Sequence, residues 1–238
     1  MSIVKHIPNT ITSLNLLSGV TGVIFTLGGN PAAGFICMLA AAVFDFCDGL
    51  AARMLRVSSP IGKELDSLSD VVSFGVLPAL MLYSVMDCSP EWPRYIPLLL
   101  AAFSAIRLAK FNVDDRQETD FLGLPTPASA LIAGSLCHYI FTCSGDAFPQ
   151  FAAGSPWLLP ALSLVLCALV VSELPMFGMK IKKGHKLMDA KRVVFLSLAL
   201  VSVVISLVFG LVWSLPVLFI LLIYVLENIV VAVLSKQL

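Results

Sequence analysis

The sequence predicts an all-α integral membrane protein of about eight transmembrane helices, and three observations carry that reading. Of 238 residues, 58% are hydrophobic and only 13% charged, against about 45–50% and about 25% in soluble globular domains. The apolar residues run in long continuous stretches instead of alternating, which suits helices and not the strands of a membrane barrel. Once eight spans are drawn, fourteen of the fifteen Lys and Arg residues fall on one side. This composition excludes an ordinary soluble enzyme, a disordered chain and a nucleic-acid-binding domain. Lys+Arg and Asp+Glu each number 15, so the balanced net charge points to no acidic or basic partner.

Each span needs about 20 apolar residues. The first is expected at about 11–29, closed by Gly28-Gly29-Asn30-Pro31, and the second at about 32–53, before Ser58-Ser59-Pro60. The third, about 62–86, runs to Cys88-Ser89-Pro90, and the fourth covers about 94–112. The fifth, about 126–144, follows a loop punctuated by Pro125 and Pro127 and stops at Ser144-Gly145-Asp146. The sixth is expected at about 156–174, the seventh at about 192–212 and the eighth at about 214–234. The Gly, Pro and polar clusters are the separators. The longest polar stretches, about 107–123 and 180–192, are only loop-sized, so residues 1–238 read as one membrane-embedded domain.

The basic residues orient the chain. Lys5, Arg53, Arg56, Lys63, Arg107, Lys110, Arg116, Lys180, Lys182, Lys183, Lys186, Lys191, Arg192 and Lys236 share the face that carries both termini, and Arg94 stands alone opposite. The positive-inside rule places the crowded face in the cytoplasm, and dropping any single internal span would scatter these charges. The expected location is the cell (inner) membrane, multi-pass. Cys37, Cys47, Cys88, Cys137, Cys143 and Cys167 show no zinc-binding spacing and read as small apolar packing residues. The N-terminus has no short apolar core followed by a small-residue cleavage site, so no removed signal peptide is expected.

Charges inside spans are costly, about 2.5–3.5 kcal/mol for an Asp at a helix centre. Yet Asp45, Asp48, Asp66 and Asp70 all fall within the second and third spans. Asp45 and Asp48 share one helix face, and Asp66 and Asp70 share a face of the next. A short turn makes these helices antiparallel neighbours, so the four carboxylates can converge. Carboxylates that close cannot all stay ionised without a cation. Oxygen donors select Mg²⁺ or Mn²⁺, with Ca²⁺ also able to occupy the site, and the set suits a two-metal centre for phosphoryl transfer. The plain alternative is that they pair with Arg53, Arg56 and Lys63. Gly49 and Ala52 leave room for a group to lie against the backbone, and Arg53 can meet a phosphate with its planar fork.

The pattern Asp45-x-x-Asp48-Gly49-x-x-Ala52-Arg53, eight residues, then Gly62-x-x-x-Asp66-x-x-x-Asp70 resembles the full signature of the CDP-alcohol phosphotransferases. The resemblance implies a six-helix membrane core, here with two added C-terminal spans, that displaces CMP from a CDP-linked lipid with an alcohol. It implies that Asp45, Asp48 and Asp66 ligate metal, that Asp70 combines ligation with general-base duty, and that Asn9, Thr12, Gly49, Ala52, Arg53 and Gly62 line the nucleotide and lipid substrate. A homodimer is a further implication.

The flanks bear on the acceptor. Ile7-Pro8-Asn9-Thr10-Ile11-Thr12, Arg107-Leu108-Ala109-Lys110-Phe111-Asn112 and Phe121-Leu122-Gly123-Leu124-Pro125-Thr126-Pro127-Ala128 are similar to the serine-using bacterial branch, the membrane-embedded phosphatidylserine synthases. That likeness implies CDP-diacylglycerol and L-serine as substrates. Arg107 would hold the serine carboxylate, with Asn112 nearby and Lys180 lining the site. Glycerol 3-phosphate, inositol phosphate or choline are the alternative acceptors; the phosphorylated ones would need an added basic pair, and choline an aromatic cage. A cation transporter, the alternative of a different class, predicts mid-membrane acids and internal repeats, and the sequence has neither.

Overall fold

Two proline-headed turns organise the N-terminal helices. Asn30 Oδ1 accepts from the Ala33 N–H at 3.0 Å, and Ser59 Oγ accepts from the Gly62 N–H at 2.9 Å. Each is followed by a proline at the start of the helix it caps, where the missing N–H costs nothing, and each cap contributes about 1 kcal/mol. In a computed structural model describing residues 6–57, 59–113, 121–176 and 186–235, these turns separate α1 (His6–Leu27), α2 (Pro31–Leu55) and α3 (Pro60–Asp70). Arg56 ends α2 in the left-handed region, at φ 52°, with its N–H on the Ala52 and Arg53 carbonyls.

α3 continues through a π-helical stretch, Val71–Val76, into α4 (Leu77–Val85). A 3₁₀ segment, Trp92–Leu98, carries Pro93 and Pro97 and leads into α5 (Leu99–Val113). There follow β1 (Phe121–Leu122), α6 (Thr126–Thr142), α7 (Ala147–Gly154), α8 (Leu158–Val171), β2 (Pro175–Met176), α9 (Lys186–Phe209) and α10 (Ser214–Ser235). Apart from the two-residue strands, every regular element among the described residues is helical.

The helices fall close to the expected spans, with three differences. The first and the seventh begin earlier, at His6 and Lys186. The third is not uniformly α-helical. The segment before the sixth forms α7, which meets α8 at a bend of 76°. Ser155 is extended and precedes Pro156, and a residue before proline is driven out of the helical region. Among the described residues, five helices are long and apolar enough to cross a membrane, or six if the bent pair is one span. This is a multi-pass membrane architecture.

Lipid tails solvate leucine as well as protein does, so membrane helices associate through close packing of small residues and polar contacts. A Cβ on Gly19 of α1 would collide with Ser73 of the π stretch, and one on Gly75 would come within 3.1 Å of Ser104 on α5. Around these approaches Phe35, Phe74, Leu77, Met81, Leu100 and Leu159 are fully buried. All six cysteines are free thiols.

The link from α5 to α6 is pinned to the end of α8. β1 pairs antiparallel with β2, Gly123 N–H donates to the Leu174 carbonyl and Leu124 N–H to the Leu169 carbonyl, both at 2.9 Å. Gly123 has φ +76°, and a Cβ there would stand 2.6 Å from the Ser172 carbonyl oxygen. Both facts demand glycine. Gly123→Ala is expected to cost about 2–3 kcal/mol, seen as a lower thermal transition of the purified protein in detergent; an unchanged transition would show that this pinning is dispensable.

Candidate active site

Four acidic side chains enter one region from two antiparallel helices. Asp45 and Asp48 lie in the second half of α2, and Asp66 and Asp70 in α3. One carboxylate oxygen from each of Asp45, Asp48 and Asp66 lies within 4.8 Å of the others. Asp70 is beside them, in electrostatic contact with all three, and is 8% exposed. Thus the structure gathers three of the expected metal ligands into one group and sets the fourth against it.

None of the four pairs with the basic residues near the helix ends. Arg53 is exposed and turns its Nε to the Gly49 carbonyl at 2.9 Å. Lys63 Nζ donates to the Asn112 carbonyl at 3.2 Å. Meanwhile Asp48 Oδ2 and Asp66 Oδ1 are buried with no hydrogen-bond partner. Buried anionic oxygens without donors are unstable arrangements. An all-carboxylate donor set with orphaned oxygens fits a hard divalent cation, so Asp45, Asp48 and Asp66 could hold one.

α1 supplies a residue that the sequence reading missed. Asn15 is fully buried, and its Nδ2 donates to Asp70 Oδ1 at 3.2 Å. Its own carbonyl accepts from Ser73 Oγ at 3.1 Å. The π stretch therefore begins immediately after Asp70 and delivers Ser73 to α1, where Gly19 leaves space. Such π segments recur at functional sites. A signal was available: Asn9, Thr12 and Asn15 recur every three residues, which places them on one side of α1.

Beside the carboxylates lies a cavity of about 200 Å³. Asn9, Thr12, Gly49, Ala52 and Gly62, all expected to face the nucleotide, line it together with Asp48 and Asp66. A Cβ on Gly49 would meet only the Arg53 guanidinium, at 4.0 Å, so that wall is open. At Gly62 a Cβ would come within 2.9 Å of Asn9 Oδ1 and Ser59 Oγ, so α1 and α3 need glycine to close there. Arg53 stands at the rim and not in the lining.

Arg107 on α5 interacts electrostatically with Asp70. It is 8% exposed. Its Nη1 reaches Thr126 Oγ1 at 3.4 Å, a long bond, and its Nε has no hydrogen-bond partner. Asn112 does something different from its expected neighbour role: its amide donates to Ser67 Oγ at 2.9 Å, tying the end of α5 to α3. Lys110 pairs with Glu173 at 3.1 Å, bracing α5 against the end of α8. Lys180 lies outside the described residues.

Comparison with known proteins adds sequence kinship to this geometry. Residues 5–171 match the family model of the CDP-alcohol phosphatidyltransferases. A CDP-diacylglycerol–serine O-phosphatidyltransferase of Mycobacterium leprae is 34% identical over 190 residues, covering 75% of this chain and 59% of the relative. The protein of the same name from Mycobacterium tuberculosis is 35% identical over 192 residues, 75% of this chain and 62% of the relative. An archaetidylserine synthase of Methanothermobacter thermautotrophicus is 38% identical over 136 residues, 54% of this chain and 56% of the relative. The chain thus spans about 60% of the length of the mycobacterial relatives it matches.

Proposed function

The chain belongs to the CDP-alcohol phosphatidyltransferase family, and from that premise we propose that it transfers the phosphatidyl group of CDP-diacylglycerol to the hydroxyl of L-serine and releases CMP. The observation that carries the reading is the meeting of Asp45, Asp48 and Asp66 around one point, with Asp70 at its edge and an open cavity beside it. The choice of serine is supported by the names of the relatives and by Arg107, a buried cation with an unused Nε donor that interacts electrostatically with Asp70.

Asp45, Asp48 and Asp66, with Asp70, hold Mg²⁺ or Mn²⁺ in a two-metal site, which Ca²⁺ can also occupy. When bound, those ions neutralise the diphosphate and the departing CMP. The protein's own residues do the rest. Asn9, Thr12, Gly49, Ala52 and Gly62 seat the CDP end against helix backbone, and Arg53 meets it at the rim. Asn15 fixes the orientation of Asp70. Asp70 takes the proton from the serine hydroxyl as its oxygen bonds to the phosphorus that bears diacylglycerol. The bond from that phosphorus to the CMP oxygen breaks. Arg107 holds the serine carboxylate, and Asn112 steadies its helix through Ser67. Such transfer depends on positioning and charge stabilisation more than on covalent protein chemistry.

In this reading the enzyme is a homodimer in the cell membrane, with eight spans, six forming the core, and with termini and active site facing the cytoplasm. The distribution of basic residues supports the orientation. Purified protein supplied with CDP-diacylglycerol, Mg²⁺ or Mn²⁺ and a panel of alcohols is expected to release CMP with L-serine. Release with glycerol 3-phosphate but not serine would move the acceptor and keep the reaction class. No release with any alcohol would overturn the reading.

A further inference from the structure

Lys63, in the first half of α3, lines the cavity beside the carboxylates together with Asp48, Gly62 and Asp66. Among the described residues it is the one basic member of that lining. Its Nζ turns to a neutral acceptor, the Asn112 carbonyl at 3.2 Å. The one ion pair among the described residues is Lys110–Glu173, so no carboxylate pairs with the Lys63 ammonium. Asn112 stands next to the last residue of α5. Its carbonyl is among the last four that a helix leaves without an internal partner, a favourable place for a cation. The contact is exposed, and an ammonium carries three donors, so two remain when one is spent there.

The same wall of the cavity holds the start of α3, because Ser59, its N-cap, and Gly62 line it with Lys63. The positive end of the helix dipole therefore borders the space that Lys63 borders. A diphosphate brings negative charge into a cavity already walled by Asp48 and Asp66. Lys63 is the cation that the chain itself places there, and the fold spends its charge on no other group. We propose that Lys63 is a substrate-contacting residue, whose ammonium donates to a phosphate oxygen of the CDP group and has the Asn112 carbonyl as its resting partner. This rests on the phosphatidyl-transfer reading above and gives a role to a position that the motif Gly62-x-x-x-Asp66 leaves unspecified.

The test is equilibrium binding of CDP to the purified full chain with Mg²⁺ present, alongside steady-state CMP release. Lys63→Gln keeps a donor for the Asn112 carbonyl and removes the charge; Lys63→Arg keeps the charge. CDP is expected to bind Lys63→Gln about tenfold more weakly than the parent, the scale of one hydrogen bond to a charged group, and Lys63→Arg within about threefold of it. The KM for CDP-diacylglycerol should rise in parallel in Lys63→Gln, and the serine KM should stay within about twofold. Removing a positive charge beside the aspartates favours cation binding there, so weaker CDP binding would not be a loss of metal. Equal CDP affinity in the parent and Lys63→Gln would overturn the contact and leave the phosphatidyl-transfer reading standing. A rise confined to the serine KM would also overturn it, since that is what a loosened α5 with its Arg107 would produce. A parent that binds no CDP would remove both.

Discussion

Asp70→Asn is expected to lower turnover by about 10²–10⁴-fold, the usual contribution of a general base, while leaving the KM for CDP-diacylglycerol near the parent value. The substitution preserves shape and keeps an oxygen able to accept from the Asn15 amide, so the local packing of α1 on α3 survives. What it removes is the carboxylate that receives the serine proton. Asp70 is also the member that stands outside the tightest oxygen group, so cation affinity should fall less than in Asp66→Asn. Initial rates of CMP release against both substrates check this. Comparable turnover in the variant and the parent would refute the base assignment.

Arg107→Ala is expected to raise the serine KM by about 30-fold or more, with the CDP-diacylglycerol KM little changed. Truncating one partner of a buried charge-assisted contact costs about 2–5 kcal/mol, and each 1.36 kcal/mol is tenfold. The residue is 8% exposed and makes one long hydrogen bond to Thr126, so little of its capacity is spent on the fold. Arg107→Lys keeps the charge and loses the planar fork, and its effect should fall between the two. A serine KM that does not move in either variant would place the acceptor elsewhere.

Much of this was legible from the chain alone, for identifiable reasons. Four aspartates in apolar runs, at spacings of three and four, specify two helix faces, and a short turn leaves those faces little choice but to meet. Span boundaries were legible because Asn30-Pro31 and Ser59-Pro60 act as local start signals whose geometry depends on few neighbours. The rest was set by tertiary contact. Asn15 acquires its role only where α3 brings Asp70 beside it. The π stretch arises where Ser73 meets Gly19, 54 residues apart in sequence. The resemblance drew Arg107 towards serine, but nothing local to α5 announced that it would reach Thr126 on α6. Asn112 shows the converse: its proximity to Arg107 in sequence was real, and its amide is spent on Ser67.

The central claim is that the carboxylates of α2 and α3 bind divalent cations. Mn²⁺ titrated into chelator-stripped protein and followed by electron paramagnetic resonance tests it without any substrate. Saturable binding is expected in the parent, weakened about tenfold or more in Asp45→Asn and in Asp66→Asn. No saturable binding in the parent, or equal binding in all three proteins, would contradict it.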